Sequence, residues 1–96
     1  MADVTRLDEA QIAAHLEQTP GWGREGDEIK RAFEFENFQQ AFGFLAQVAI
    51  LAEKADHHPE IWNVYNQVRL ALTTHDADGL THKDFALAAQ INAIGQ

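Results

Sequence analysis

Residues 29–60 read IKRAFEFENFQQAFGFLAQVAILAEKADHHPE, and their pattern decides the fold class. From Ile29 to Phe35 the chain alternates: Ile29, Arg31, Phe33 and Phe35 share one face of an extended segment, and Lys30, Ala32 and Glu34 share the other. The alternation stops at Asn37, a good helix N-cap because its short side chain accepts a backbone N–H of the first turn. Phe38, Phe42, Leu45, Ala49 and Ala52 then recur at spacings of four and three, which predicts a helix burying that face. Helix formers continue through Ala55. Pro59 disfavours helical geometry at His58, so the helix stops over Asp56 to His58.

Toward the N-terminus, Asp8 caps a first helix whose apolar stripe is Ala10, Ile12, Ala13 and Leu16. Thr19-Pro20-Gly21 ends it, since proline cannot continue a helix and glycine permits the turn. Trp22 and the polar turn Arg24-Glu25-Gly26-Asp27 make a hairpin with the strand that follows. Toward the C-terminus, Ile61 to Thr74 divides near Tyr65-Asn66-Gln67 into a short strand and a longer one, with Val68, Leu70, Leu72 and Thr74 on one face. Asp76-Ala77-Asp78-Gly79 is a turn, and Thr81 and Asp84 have capping-box spacing before a last helix with Phe85, Ala88, Ala89 and Ile91 on its apolar side. The order α-β-β-α-β-β-α predicts an α+β sandwich with helices on one face of the sheet. Phe33, Phe35, Phe38 and Phe42 are expected in its core.

Composition narrows the functional classes. The 96 residues fit a single domain over 1–96, so small that self-association is a natural expectation. There are no cysteines, so disulfides, thiolate zinc sites and cysteine nucleophiles are excluded. A net charge of -8 argues against a nucleic-acid surface, which needs a basic patch. The N-terminal residues carry no secretory pattern, and the most apolar stretch, Phe42 to Ala52, is short of a membrane span. A cytoplasmic protein without membrane partners is expected.

Five histidines are many for this length. His15 and His82 read as solvated helix residues. His57, His58 and His75 fall at predicted element ends, where functional groups concentrate. In an extended chain successive side chains diverge, so the adjacent rings of His57 and His58 have different neighbours and can serve different roles. Imidazoles exchange protons near neutral pH without large tuning. Three histidines also suit zinc, but diverging adjacent rings and the absence of usual ligand spacings argue against it. Asp76 and Asp78 beside Gly79 lack the twelve-residue calcium pattern and read better as turn residues. Trp22 and Trp62 can each wall a flat heterocycle, with core packing as the plainer alternative.

The succession Glu53-Lys54-Ala55-Asp56-His57-His58-Pro59-Glu60, Trp62-Asn63-Val64-Tyr65-Asn66, Thr74-His75, Gly79-Leu80-Thr81 and Asp84 resembles the pterin-4a-carbinolamine dehydratase family. The similarity extends upstream through Gly21-Trp22 and the Phe35-Phe38-Ala41 spacing, and covers nearly the whole chain. The resemblance implies a four-stranded antiparallel sheet with three helices packed on one side. It also implies a hydro-lyase that dehydrates 4a-hydroxytetrahydropterin to quinonoid dihydropterin in tetrahydrobiopterin recycling, downstream of an aromatic amino acid hydroxylase.

Elimination of water needs an acid for the leaving hydroxyl and a base for the N5 proton. By this resemblance His57, His58 and His75 carry catalysis and pterin binding. The sequence leaves open which ring is acid and which is base; the arrangement expected is His58 and His75 facing the C4a–N5 edge with His57 assisting. No redox cofactor or metal is implied. Glu53 and Asp56 are expected to orient an imidazole, Thr74 and Trp62 to contact substrate, and Asp84 either to meet the guanidine-like edge of the pterin or to cap the last helix. Glu60 is expected at the surface or a dimer edge. The family also implies a homodimer or homotetramer. The alternative is a non-enzymatic dimerisation or assembly cofactor of the same fold, with the helix from Asn37 to Ala55 offered to a partner.

Overall fold

The computed structural model describes residues 5–95. Helix α1 (Glu9–Glu17) starts on a full capping box: the Asp8 carboxylate accepts the Gln11 N–H, and the Gln11 side chain accepts the Asp8 N–H. The chain then turns at Gly21, whose φ of +87° and close approach to the Arg31 guanidinium both favour a residue without Cβ. Strands β1 (Gly23–Glu25) and β2 (Glu28–Glu34) form the expected hairpin. Asn37 caps helix α2 (Phe38–Ala55) by accepting the Gln40 N–H at 2.9 Å. Strands β3 (Glu60–Val64) and β4 (Gln67–Leu72) follow, then a single 3-10 turn at His75–Ala77 and helix α3 (His82–Gly95).

The four strands are antiparallel in the order β1-β2-β4-β3. The α-β-β-α-β-β-α order and the α+β architecture are therefore as expected. Ile29, Phe33, Val68, Leu70 and Leu72 point from the sheet into a core shared with Ile12 of α1, Phe44 and Val48 of α2, and Phe85 and Ile91 of α3. Two asparagines close the β3–β4 hairpin. Asn63 donates to the Tyr65 and Gln67 carbonyls, and Asn66 ties the turn to the Phe35 carbonyl at 2.9 Å. The bonds hold Tyr65 at a φ of +51°, a conformation that costs a non-glycine residue roughly 1 kcal/mol.

The buried faces of the helices differ from those expected. α2 buries Ala41, Phe44, Leu45, Val48 and Ala52, whereas Ala49 is exposed and Phe38 and Phe42 are 49% and 57% exposed. The helix is apolar nearly all round, so two stripes satisfied the same periodicity. Packing chose the stripe that lets Phe44 meet Phe33 and Phe35, with ring centroids 4.7 and 5.0 Å apart. Phe38 and Phe42 pair with each other on the outside. In α3, Leu87 is buried and Ala89 is exposed. β4 ends at Leu72, two residues earlier than the pattern predicted, although Thr74 is buried on the expected face. His15 is half-buried and stacks on Phe85 at 4.9 Å, so it is not the solvated residue expected, while His82 is exposed.

Candidate active site

The site is built where α2 ends, β4 ends and α3 begins. Asp56, the C-cap of α2, adopts left-handed geometry with φ 51° and ψ 44°. The Asp56 N–H bonds to the Glu53 carbonyl and the His57 N–H reaches back to the Ala52 carbonyl, so the last turn is closed with no glycine present. This reversal sends the two adjacent imidazoles to opposite environments. His57 turns inward and is 8% exposed. His58 turns outward, where its Nε2 lies 2.6 Å from the Glu53 carboxylate.

His57 meets a buried carboxylate. Its Nε2 is 2.5 Å from Asp84 Oδ1, and Asp84, in the first turn of α3, is 0% exposed. Asp84 Oδ2 accepts the Thr81 N–H at 3.0 Å and the Thr74 hydroxyl at 2.8 Å. The carboxylate only accepts, so Thr74 must spend its hydrogen on Asp84. The 2.9 Å contact between Thr74 and Thr81 is then a bond donated by Thr81, whose oxygen in turn accepts the Lys83 N–H. The chain of donors runs one way, from α3 through both hydroxyls to Asp84. From the other side the same logic places a hydrogen on His57 Nε2. No buried side-chain nitrogen or oxygen lacks a partner among the described residues, and Nδ1 of His57 has no protein partner there, so Nδ1 is accessible.

Its access is a cavity of about 270 Å³ lined by His57, His58 and His75 together with Asp56, Thr74 and Lys83. His75 starts a short loop pinned at its base by paired backbone bonds between Thr74 and Gly79 and closed by Asp78 in left-handed geometry. The three histidines singled out in the sequence therefore share one cavity, with Asp56 and Thr74 in its wall. Glu53 and Asp84 stand behind His58 and His57. Asp84 also accepts the N-cap N–H of α3, so it caps the helix as well as holding the His57 imidazole. Trp62 is not in this cavity; it stands on the solvent face of the sheet with the Arg69 guanidinium over its ring. Trp22 is buried in the core and donates to Asn92. Lys83 was not singled out in the sequence, although its position beside Asp84 was the available signal.

A family model described as pterin 4 alpha carbinolamine dehydratase matches residues 5–94. The chain belongs to that family. It is 60% identical over 89 residues to a Chloroflexus aurantiacus protein named "Putative pterin-4-alpha-carbinolamine dehydratase", covering 93% of this chain and 96% of that one. A Rhizobium meliloti protein of the same name is 51% identical, with 95% and 89% covered. The crystal structure of a transcriptional coactivator/pterin dehydratase from Brucella melitensis superposes with a TM-score of 0.93 at 42% identity, over 96% of this chain and 100% of that one. A pterin dehydratase-like protein identified as a RuBisCO assembly factor in the alpha-carboxysome shares the fold, with a TM-score of 0.63, 23% identity, and 75% and 83% covered. Family membership supports a dehydratase of the lyase class acting on a pterin. Among the described residues no helix is long and apolar enough to cross a membrane.

Proposed function

We propose that this protein dehydrates 4a-hydroxytetrahydropterin to quinonoid dihydropterin and water, in cytoplasmic tetrahydrobiopterin recycling after an aromatic amino acid hydroxylase. The observation that carries the reading is the single cavity shared by His57, His58 and His75, with His57 fixed by a buried carboxylate. In the reaction the N5–H bond and the C4a–O bond break, the hydroxyl leaves as water, and C4a=N5 forms. Both proton movements suit imidazoles, and the reaction calls for no redox cofactor or metal.

His58 and His75 stand at the exposed side of the cavity and exchange protons at the C4a–N5 edge. His57 presents Nδ1 to the bound ring and is held in one orientation through Nε2, as Asp84 accepts that hydrogen and supports the imidazolium when the ring gains a proton. Asp56 and Thr74 contact the substrate from the cavity wall, and Glu53 orients His58. The test is turnover of chemically generated 4a-hydroxytetrahydropterin, followed by loss of its ultraviolet signal. Wild type accelerates the loss; His58→Ala and His75→Ala lower turnover about 10²-fold or more. An unchanged rate in the His75 variant overturns the assignment.

A second reading is favoured by the outer face of α2, where Phe38, Phe42 and Ile50 are exposed, the last by 62%. This apolar stripe suits self-association to a dimer or tetramer, as does the free edge of β3, and it equally suits a partner protein. Light scattering after size exclusion measures the oligomer. Recovery of a stoichiometric protein partner together with absent turnover would favour the non-enzymatic cofactor.

A further inference from the structure

The solvent face of the sheet holds a second cavity, of about 510 Å³, which shares no lining residue with the histidine cavity. Cross-strand register builds it. Lys30 faces Ala71, which faces Glu60; one step along, Ala32 faces Arg69, which faces Trp62. The two alanines leave the middle of the face low, and the longer side chains stand round them. The volume falls within the ~300–1,000 Å³ common for small-molecule sites.

The charge of this cavity opposes that of the chain. Lys30, Arg31 and Arg69 line it against Glu60 alone, a local balance of three minus one, in a protein of net charge -8. Lys30 is engaged by Glu25 at 2.8 Å, and Arg31 donates to Asn92. Arg69 is different. Its guanidinium lies 4.2 Å from the Trp62 ring centroid, and no side chain or carbonyl of the described residues accepts a hydrogen bond from it. Carboxylates are not scarce, with fifteen acidic residues against seven basic ones. The indole face holds the guanidinium plane while leaving its N–H edge free. A fixed guanidinium with unused donors matches a planar oxyanion bound through two parallel bonds.

We propose that this face is a second binding site, for a small aromatic monocarboxylate, with the carboxylate on Arg69 and the ring on the shelf of Ala32 and Ala71. Glu60 across the shelf disfavours a second negative charge on the ligand. Benzoate is the probe, with inorganic phosphate as comparator, followed by amide and side-chain NMR on the full chain. Benzoate is expected to give saturable shifts at the Trp62 indole N–H, the Arg69 Nε–H and the Ala32 and Ala71 amides. Arg69→Gln, an exposed change whose fold is checked by its amide spectrum, weakens binding roughly ten- to a hundred-fold. Trp62→Ala weakens it as well, by freeing the guanidinium. The site is overturned if these signals do not move, if the shifts survive in R69Q, or if phosphate binds as tightly as benzoate.

Discussion

His57 and His58 are adjacent in the chain and each faces a carboxylate, yet the two pairs are built differently. His57 meets Asp84 in the interior, across 27 residues of sequence, and three further groups hold that carboxylate's bonds in order. His58 meets Glu53 in solvent, five residues away, with both side chains more than half exposed. A buried pair is costly to break because the surviving group cannot turn to water. An exposed pair loses little, since water replaces either partner. One imidazole is therefore tied to the fold, and the other is held only by a solvent-exposed contact.

The largest break of this contrast is Asp84→Ala. It removes the partner of His57 and leaves the Thr81 N–H and Thr74 hydroxyl without an acceptor, so a loss of about 3–5 kcal/mol is expected in urea unfolding. His57→Ala costs less, about 1–3 kcal/mol, because Asp84 keeps two of its bonds. The double variant is expected to cost less than the sum of the two; strict additivity in the cycle would mean the pair is not coupled. His58→Ala separates the roles: stability within about 0.5 kcal/mol of wild type, with turnover down about 10²-fold or more. A stability loss as large as that of His57→Ala would erase the distinction between the two imidazoles.

Glu53→Gln is milder, with stability changed by about 0–1 kcal/mol and a small drop in turnover that fades in high salt. The smallest effect belongs to Glu9 and Arg24, an exposed pair far from the cavity. The Arg24 guanidinium holds the Glu9 carboxyl below its ordinary pKa. Its contribution is thus present above the unfolded carboxyl pKa and lost as pH falls through the lowered folded value. Glu9→Gln should leave turnover untouched and slightly reduce the acid sensitivity of the thermal midpoint. A change in turnover would show that α1 communicates with the site.

Much of the fold was legible because local chemistry marks its element ends. Asp8, Asn37 and Pro59 each act within a few residues, and each does what the sequence implies. The buried face of α2 was not legible, since a helix apolar on several sides has no unique phase until Phe44 finds Phe33 and Phe35. The histidines were legible as a group through their positions at element ends. Trp62 was misplaced because closeness in sequence to His58 says nothing about the side of a strand, which depends on register with Arg69. Asp84 showed its capping role in the sequence, but its bond to His57 depends on how α2 and α3 dock.

The strand order has a consequence for how the protein comes to be active. The central pair of the sheet is β2 with β4, joining Glu34 to Gln67 and Ile29 to Leu72, separations of 33 and 43 residues. Such contacts carry a heavy loop-closure cost and form late relative to local turns and helices. The cavity needs the end of β4 and the start of α3 beside the end of α2. A complete but partly folded chain therefore holds all its histidines and none of its site, which forms only once these elements have docked.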